Sequence, residues 1–208
     1  KYWLLIPLLS FVSSYPYHPA LIEIFREIGW NYQPHSYDHV LLSFHGLPEG
    51  QVRNADTSGK CLASGDCCNE VTRDNAYCYR AHCMRTARAL VEALDIPEKK
   101  YSVCFQSRLG KVPWLQPYAS DVIQELGKRG AERVLVFCPS FVCDCIETTH
   151  EIGVEYQELF HKAGGGELVL VQGLNTHPSW VRGLREILLD YSHPASEAPT
   201  PLAAHCEG

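Results

Sequence analysis

Short apolar runs recur along this chain, separated by helix-length stretches, and that alternation leaves few folds open. Val40-Leu41-Leu42-Ser43-Phe44, Ser102-Val103-Cys104-Phe105-Gln106, Arg133 to Phe137 and Glu167 to Val171 are near-continuous and rich in β-branched or aromatic residues. Strands covered on both faces read this way. Leu4 to Leu9 is a further run, interrupted at Pro7. It is too short for a membrane span and reads as a buried strand at a truncated start. Between the runs, helices are expected near 18–29, 79–94, 118–129, 145–162 and 177–191. His18-Pro19 places proline at a first turn, and Gly130 and Gly164-Gly165-Gly166 supply stops. Strands alternating with helices form βαβ units, so the expected fold is α/β, a parallel sheet flanked by helices in a Rossmann-like half. Residues 46–78 read as one long polar loop. The segment 192–208, rich in Pro, Ala and Ser, is expected to be disordered.

Ligands of such sheets sit outside the carboxyl ends of the strands. There the sequence places His45-Gly46-Leu47-Pro48, Gln106-Ser107-Arg108 and Cys138-Pro139-Ser140-Phe141. His45 follows its strand directly, with Gly46 and Pro48 fixing the turn. A neutral imidazole there accepts a proton or binds a metal; a loop hydrogen bond would use the same residue.

Glu147, Glu151 and Glu155 are spaced four apart on one expected helix. Four residues turn an α-helix about 40° past a full revolution, so the three share a face over roughly 12 Å. Glu158 extends the row. A solvated polar face has the same pattern. Yet like charges at this spacing destabilise a helix, and His150 is the only basic-capable side chain among them. The first turn also faces the ligand crevice. A row of carboxylates there suits a hard or borderline divalent cation.

The chain has 208 residues, a net charge of −6 and ten cysteines. The negative charge argues against nucleic-acid binding, and membrane association is left open. A core of this size does not need a disulfide scaffold. Five cysteines crowd between Cys61 and Cys83, which points to a metal or cluster site in a reducing, cytoplasmic setting. Four thiolates suit [2Fe–2S] or zinc, with plain structural thiols as the third reading. Cys83 falls on a helix among Tyr79, Ala87 and Leu90 and reads as a packed thiol. Cys61, Cys67, Cys68 and Cys78 are therefore the expected ligands. Cys138, Cys143 and Cys145 around Pro139-Ser140-Phe141 are a weaker second metal site, with Cys145, two residues before Glu147, its strongest member and small packed thiols as the other reading, and Cys206 is unassigned. Trp114, held between Pro113 and Leu115, can offer a flat face to a planar ligand, as can Tyr15 and Tyr17.

The segments Leu42-Ser43-Phe44-His45-Gly46-Leu47-Pro48, Phe105-Gln106-Ser107-Arg108, Pro113-Trp114-Leu115, Cys138-Pro139-Ser140-Phe141, Asp144-Cys145-Ile146-Glu147-Thr148 and Gly173-Leu174-Asn175 together resemble the ferrochelatase family, and Gram-negative members most. The resemblance implies a C-terminal chelatase α/β domain over 1–191 with a Cys-rich insertion at about 50–78. The N-terminal half of the family, one wall of a porphyrin cleft, is expected to be absent. Ferrous iron and a porphyrin, protoporphyrin IX or coproporphyrin III, are the implied substrates. His45 and Glu147 are the implied catalytic pair, with Glu151 and Glu155 continuing a metal path. Trp114, Gln106, Ser107 and Arg108 are the implied porphyrin contacts. Some bacterial members carry a [2Fe–2S] cluster in this loop, which implies one on Cys61, Cys67, Cys68 and Cys78. Rival readings are an iron–sulfur redox or sensor protein on the same fold, a cobalt chelatase of corrin synthesis, and a secreted disulfide domain.

Overall fold

The structure is a computed structural model and describes residues 11–56 and 58–192. The expected strand at 4–9, the tail from 193 and Cys206 lie outside the described residues. Four strands, β1 (His39–His45), β2 (Tyr101–Gln106), β3 (Arg133–Phe137) and β4 (Glu167–Leu170), form one parallel sheet in the order β2-β1-β3-β4. Each strand expected from its apolar run within the described residues is present.

Side-chain alternation divides the core into two layers. Val40, Leu42, Phe44, Leu135 and Phe137 face one side, where α1 (Pro19–Trp30), α3 (Tyr79–Ala93) and α7 (Pro178–Ser192) pack through Phe25, Leu90 and Trp180. Leu41, Cys104, Val134 and Val136 face the other, under α4 (Ala119–Lys128) and α6 (Gln157–Lys162), with Ile123 and Phe160. Burial on both faces is why the strand sequences run apolar without a break.

Two elements differ from expectation. The loop at 46–78 opens with a short helix, α2 (Glu49–Asn54), started by Pro48 and held by buried Val52. The helix expected over 145–162 is interrupted. It begins as α5 (Ile146–Thr149), widens into a π-helical segment over Glu151–Tyr156, and resumes as α6. The His150 carbonyl accepts from both Val154 N–H at 2.9 Å and Glu155 N–H at 3.0 Å, which marks the extra residue in the turn.

The chain runs from β1 to β2 on one side, then crosses back over β1 to β3. The strand order therefore reverses between β1 and β3, and the crevice beyond their carboxyl ends is where this architecture receives ligands.

Candidate active site at the carboxyl ends of the strands

His45 is the last residue of β1 and pairs with Gln106, the last of β2. Its backbone N–H donates to the Ser140 hydroxyl at 3.0 Å, which ties β1 to the loop after β3. The imidazole Nδ1 lies 2.6 Å from the Gly46 carbonyl. A carbonyl only accepts, so Nδ1 carries the proton and the neutral ring presents a lone pair at Nε2. Phe141 flanks the ring at 5.9 Å between centroids.

Gly46 explains how the turn packs so tightly. Its N–H donates to the Gln106 carbonyl at 2.8 Å. A β-carbon there would stand 2.7 Å from that oxygen and 3.2 Å from the Trp114 ring. Trp114 is pinned by a bridge to Pro48 and by the Leu115 N–H to Leu47 carbonyl bond of 2.9 Å. Its indole N–H is buried with no partner.

Glu147 sits in the first turn of α5, capped by Cys145. The Cys145 thiol accepts from the Thr148 N–H, and the Cys145 N–H donates to the Thr148 hydroxyl at 3.0 Å. This capping box accounts for Cys145 without a metal. The Glu147 carboxyl is held below the usual carboxylate range, first by its own backbone N–H and then by the Cys145 thiol. His45 and Glu147, far apart in sequence, are connected through Gln106, which pairs with His45 and donates to the Glu147 carbonyl.

The expected single row of carboxylates does not survive the π-helical segment. Glu151 turns inward, where it accepts from Ser107 N–H at 2.8 Å, Ser107 Oγ at 2.6 Å, Gln106 Nε2 at 3.2 Å and Tyr156 Oη at 2.9 Å. Glu155 is exposed and lies 3.3 Å from His150 Nδ1. Glu158 pairs with Lys162 at 3.2 Å on the surface. The α-helical period fails because the wider turn changes the angle between successive side chains.

Gln106, expected to line the cleft, is only 1% exposed. Its amide is used internally. Oε1 accepts from Ser43 at 2.7 Å, and Nε2 donates to the Glu147 carbonyl at 2.6 Å. It supports the floor of the site from below. Arg108 stacks over Tyr118 at 4.6 Å. These two residues line a cleft of about 320 Å³ with Asp121, Glu151, Glu155 and Tyr156.

The cysteine-rich loop brings all four expected thiols together. Cys61 Sγ lies 3.6 Å from Cys78 Sγ, Cys78 3.8 Å from Cys68, and Cys68 3.6 Å from Cys67. Four sulfurs around one zinc would be separated by about 3.8 Å, given Zn–S bonds near 2.3 Å. Here the contacts run as a chain, and no three His, Cys, Asp or Glu side chains among the described residues enclose a cation position. The Cys68 thiol donates to the Cys78 sulfur and holds it well below the usual thiol range, with help from the Ala81 and Arg80 N–H groups at the start of α3. Burial pushes Cys61 up, and the bond to Cys78 followed by burial pushes Cys68 up. Asp56 fixes the loop, accepting from the Cys61 N–H at 2.7 Å and the Ser58 hydroxyl at 2.7 Å. Cys83 is buried outside the group, as its helical position implied.

Nothing in the sequence singled out Asp144 and Asn175 as partners. Asp144 accepts from Gly173 N–H at 2.8 Å and Asn175 Nδ2 at 2.7 Å, while Asn175 Oδ1 accepts from Asp144 N–H at 2.9 Å. This clamp joins the loops after β3 and β4 just ahead of Cys145 and Glu147.

Comparison with known proteins places the chain. The family model described as Ferrochelatase matches residues 1–191. The chain belongs to the ferrochelatase family. It is 48% identical over 169 residues to the ferrochelatase of Pseudomonas entomophila, covering 80% of this chain and 50% of that protein. It is 49% identical over 171 residues to that of Azotobacter vinelandii, covering 81% and 51%. The chain spans about half the length of the curated relatives it matches. In this ferrochelatase chain the segments that follow the strand ends expose apolar side chains: Leu109 is 78% and Val112 57% exposed after β2, and Ile146 is 70% exposed at the first residue of α5. No helix among the described residues is long and apolar enough to cross a membrane.

Proposed function

We propose that this chain is the C-terminal portion of a ferrochelatase, inserting ferrous iron into a porphyrin, protoporphyrin IX or coproporphyrin III, in the late steps of heme biosynthesis. The observation that carries the reading is His45. Its Nδ1 proton is committed to the Gly46 carbonyl, which leaves Nε2 as a lone pair at the end of β1, where Gln106 pairs with His45 and holds the Glu147 carbonyl.

Metal entry requires two pyrrole N–H protons to leave a macrocycle whose plane shields them. Binding energy spread over the ring can bend it and expose the nitrogens. His45 Nε2 is the base in reach, and the depressed Glu147 carboxyl stays ionised to stabilise the imidazolium or carry the proton away. Glu147 and Glu155 offer carboxylates to incoming iron. Glu151 joins that path only by giving up bonds to Ser107, Gln106 and Tyr156. The apolar rim, with Trp114, Ser107 and Arg108, provides one wall for a flat ligand, and the missing half of the family's length provides the other. A planar aromatic substrate fits an apolar rim better than a small polar metabolite does.

The cysteine loop fits a [2Fe–2S] cluster by its donor set: four thiols, three of them buried, joined by sulfur contacts of 3.6–3.8 Å. Cys61, Cys67, Cys68 and Cys78 would hold it. Such a group supplies one-electron chemistry, and porphyrin metallation has no electron to transfer. Thiolate ligands persist best in a reducing compartment, so we place the protein in the cytoplasm.

The test is zinc insertion into a porphyrin, followed by fluorescence. It uses the chain joined to the N-terminal half of the Azotobacter vinelandii ferrochelatase, with the chain alone beside it. Loss of insertion in His45→Ala and in Glu147→Gln, with porphyrin still bound, supports the reading. Normal turnover by either variant, or no porphyrin binding by the joined protein, would refute it.

A further inference from the structure

The cysteine loop and His45 are connected by one side chain. Cys78 is the N-cap of α3 and Tyr79 is its first residue. The Tyr79 hydroxyl donates to the His45 carbonyl at 2.8 Å. The Ser140 hydroxyl accepts from the His45 N–H at 3.0 Å. Both backbone polar groups of His45 are thereby fixed by side chains.

We infer that Tyr79 is a positioning residue for His45 and that it transmits the arrangement of the four-thiol site to the base. The catalytic half of this inference rests on the chelatase reading; the mechanical half does not. Cys78 makes two of the three sulfur contacts in the thiol group. Any change that draws those sulfurs together or apart moves Cys78. The peptide that follows carries Tyr79, and the Tyr79 hydroxyl pulls on the His45 carbonyl. The Tyr79–His45 hydrogen bond transmits such a shift because the hydroxyl loses its partner if the carbonyl fails to follow. This gives the cysteine loop an effect on metallation without an electron changing hands.

The experiment is a double-mutant cycle on the full chain, using Tyr79→Phe and Cys61→Ala. Cys61 is chosen because it touches Cys78 but is 17 positions away in sequence. The readout is amide hydrogen exchange and the amide chemical shift of His45, which needs no catalytic activity. Tyr79→Phe keeps the ring and removes only the hydroxyl. It frees the His45 carbonyl, and the loosened residue is expected to exchange its N–H faster by up to roughly tenfold, the size of one hydrogen bond. Cys61→Ala is expected to shift the His45 amide in the parent and to have no further effect in Tyr79→Phe. Additive effects, or a His45 amide that ignores both changes, would overturn the inference. The thermal midpoint of each variant separates a local change from general loosening: global exchange rising in step with His45 also counts against it. In the joined protein that metallates porphyrin, Tyr79→Phe should lower kcat several-fold with KM for porphyrin unchanged. Zinc insertion failing in the parent would refute the chelatase reading alone, and the exchange data would still decide the link.

Discussion

Ser107 gives both its backbone N–H and its hydroxyl to the carboxylate of Glu151, at 2.8 and 2.6 Å, while its own backbone is held at φ +62°. A non-glycine residue in the left-handed region is strained unless neighbours over-determine it. Glu151 is that neighbour. The π-helical segment turns its carboxylate toward the end of β2 rather than out along a helix face.

Glu151→Ala should therefore act on stability. It strands the Ser107 N–H and part of the Gln106 amide, groups whose loss costs about 1–3 kcal/mol. Chemical denaturation should show that fall, whereas Glu155→Ala, at an exposed position, should stay within about 0.5 kcal/mol. Equal, small effects at both positions would return Glu151 to the role of a solvent-facing carboxylate.

Gly46→Ala tests the tight turn beside the base. The new methyl group would stand 2.7 Å from the Gln106 carbonyl and 3.2 Å from Trp114. The backbone oxygen cannot move without disturbing the β1–β2 ladder. A loss of about 1–3 kcal/mol is expected, as for overpacking elsewhere, with altered intrinsic fluorescence as Trp114 is displaced. A variant as stable as the parent with unchanged fluorescence contradicts this packing.

Cobalt(II) is a convenient probe of the thiol site. Alanine at Cys61, Cys67, Cys68 or Cys78 should abolish the sulfur-to-cobalt charge-transfer band, and Cys83→Ala should retain it. Loading should weaken as pH falls. Cys61, pushed up to about 12 by burial and then by its contact with Cys78, must give up its proton to bind metal. A band that is independent of pH, or lost in Cys83→Ala, means that the ligand set is misassigned.

Acid should open the cysteine loop before it unfolds the sheet. Asp56 is held at about 2, first by the Ser58 hydroxyl and then by the Cys61 N–H. Its folded value lies below its unfolded one, so its contribution is present above about pH 4 and is lost as pH falls toward 2. Reaction of Cys61 with dithiodipyridine, which works in acid, should accelerate over that window. Asp56→Asn should flatten the profile and leave Cys61 more reactive at pH 5.

The four described strands, their parallel sense and the position of His45 were legible because burial on both faces leaves an unbroken apolar run, and a strand's end is marked where that run stops. The four clustered cysteines and the packed Cys83 were legible from local spacing and helical position. The inward turn of Glu151, the burial of Gln106 and the short helix after Pro48 were not. Helical periodicity assumes an α-helix, but at residues 151–156 contacts with the end of β2, a partner more than forty residues away, support a wider turn. The bonds of Tyr79 and Ser140 to the His45 backbone and the Asp144–Asn175 clamp were equally hidden. Sequence by itself determined the strands and which segments leave their carboxyl ends, since that depends on local pattern and chain order. Only the tertiary structure decided which of them hold one another and which remain open to a ligand, since a hydrogen bond between distant side chains leaves no period in the sequence.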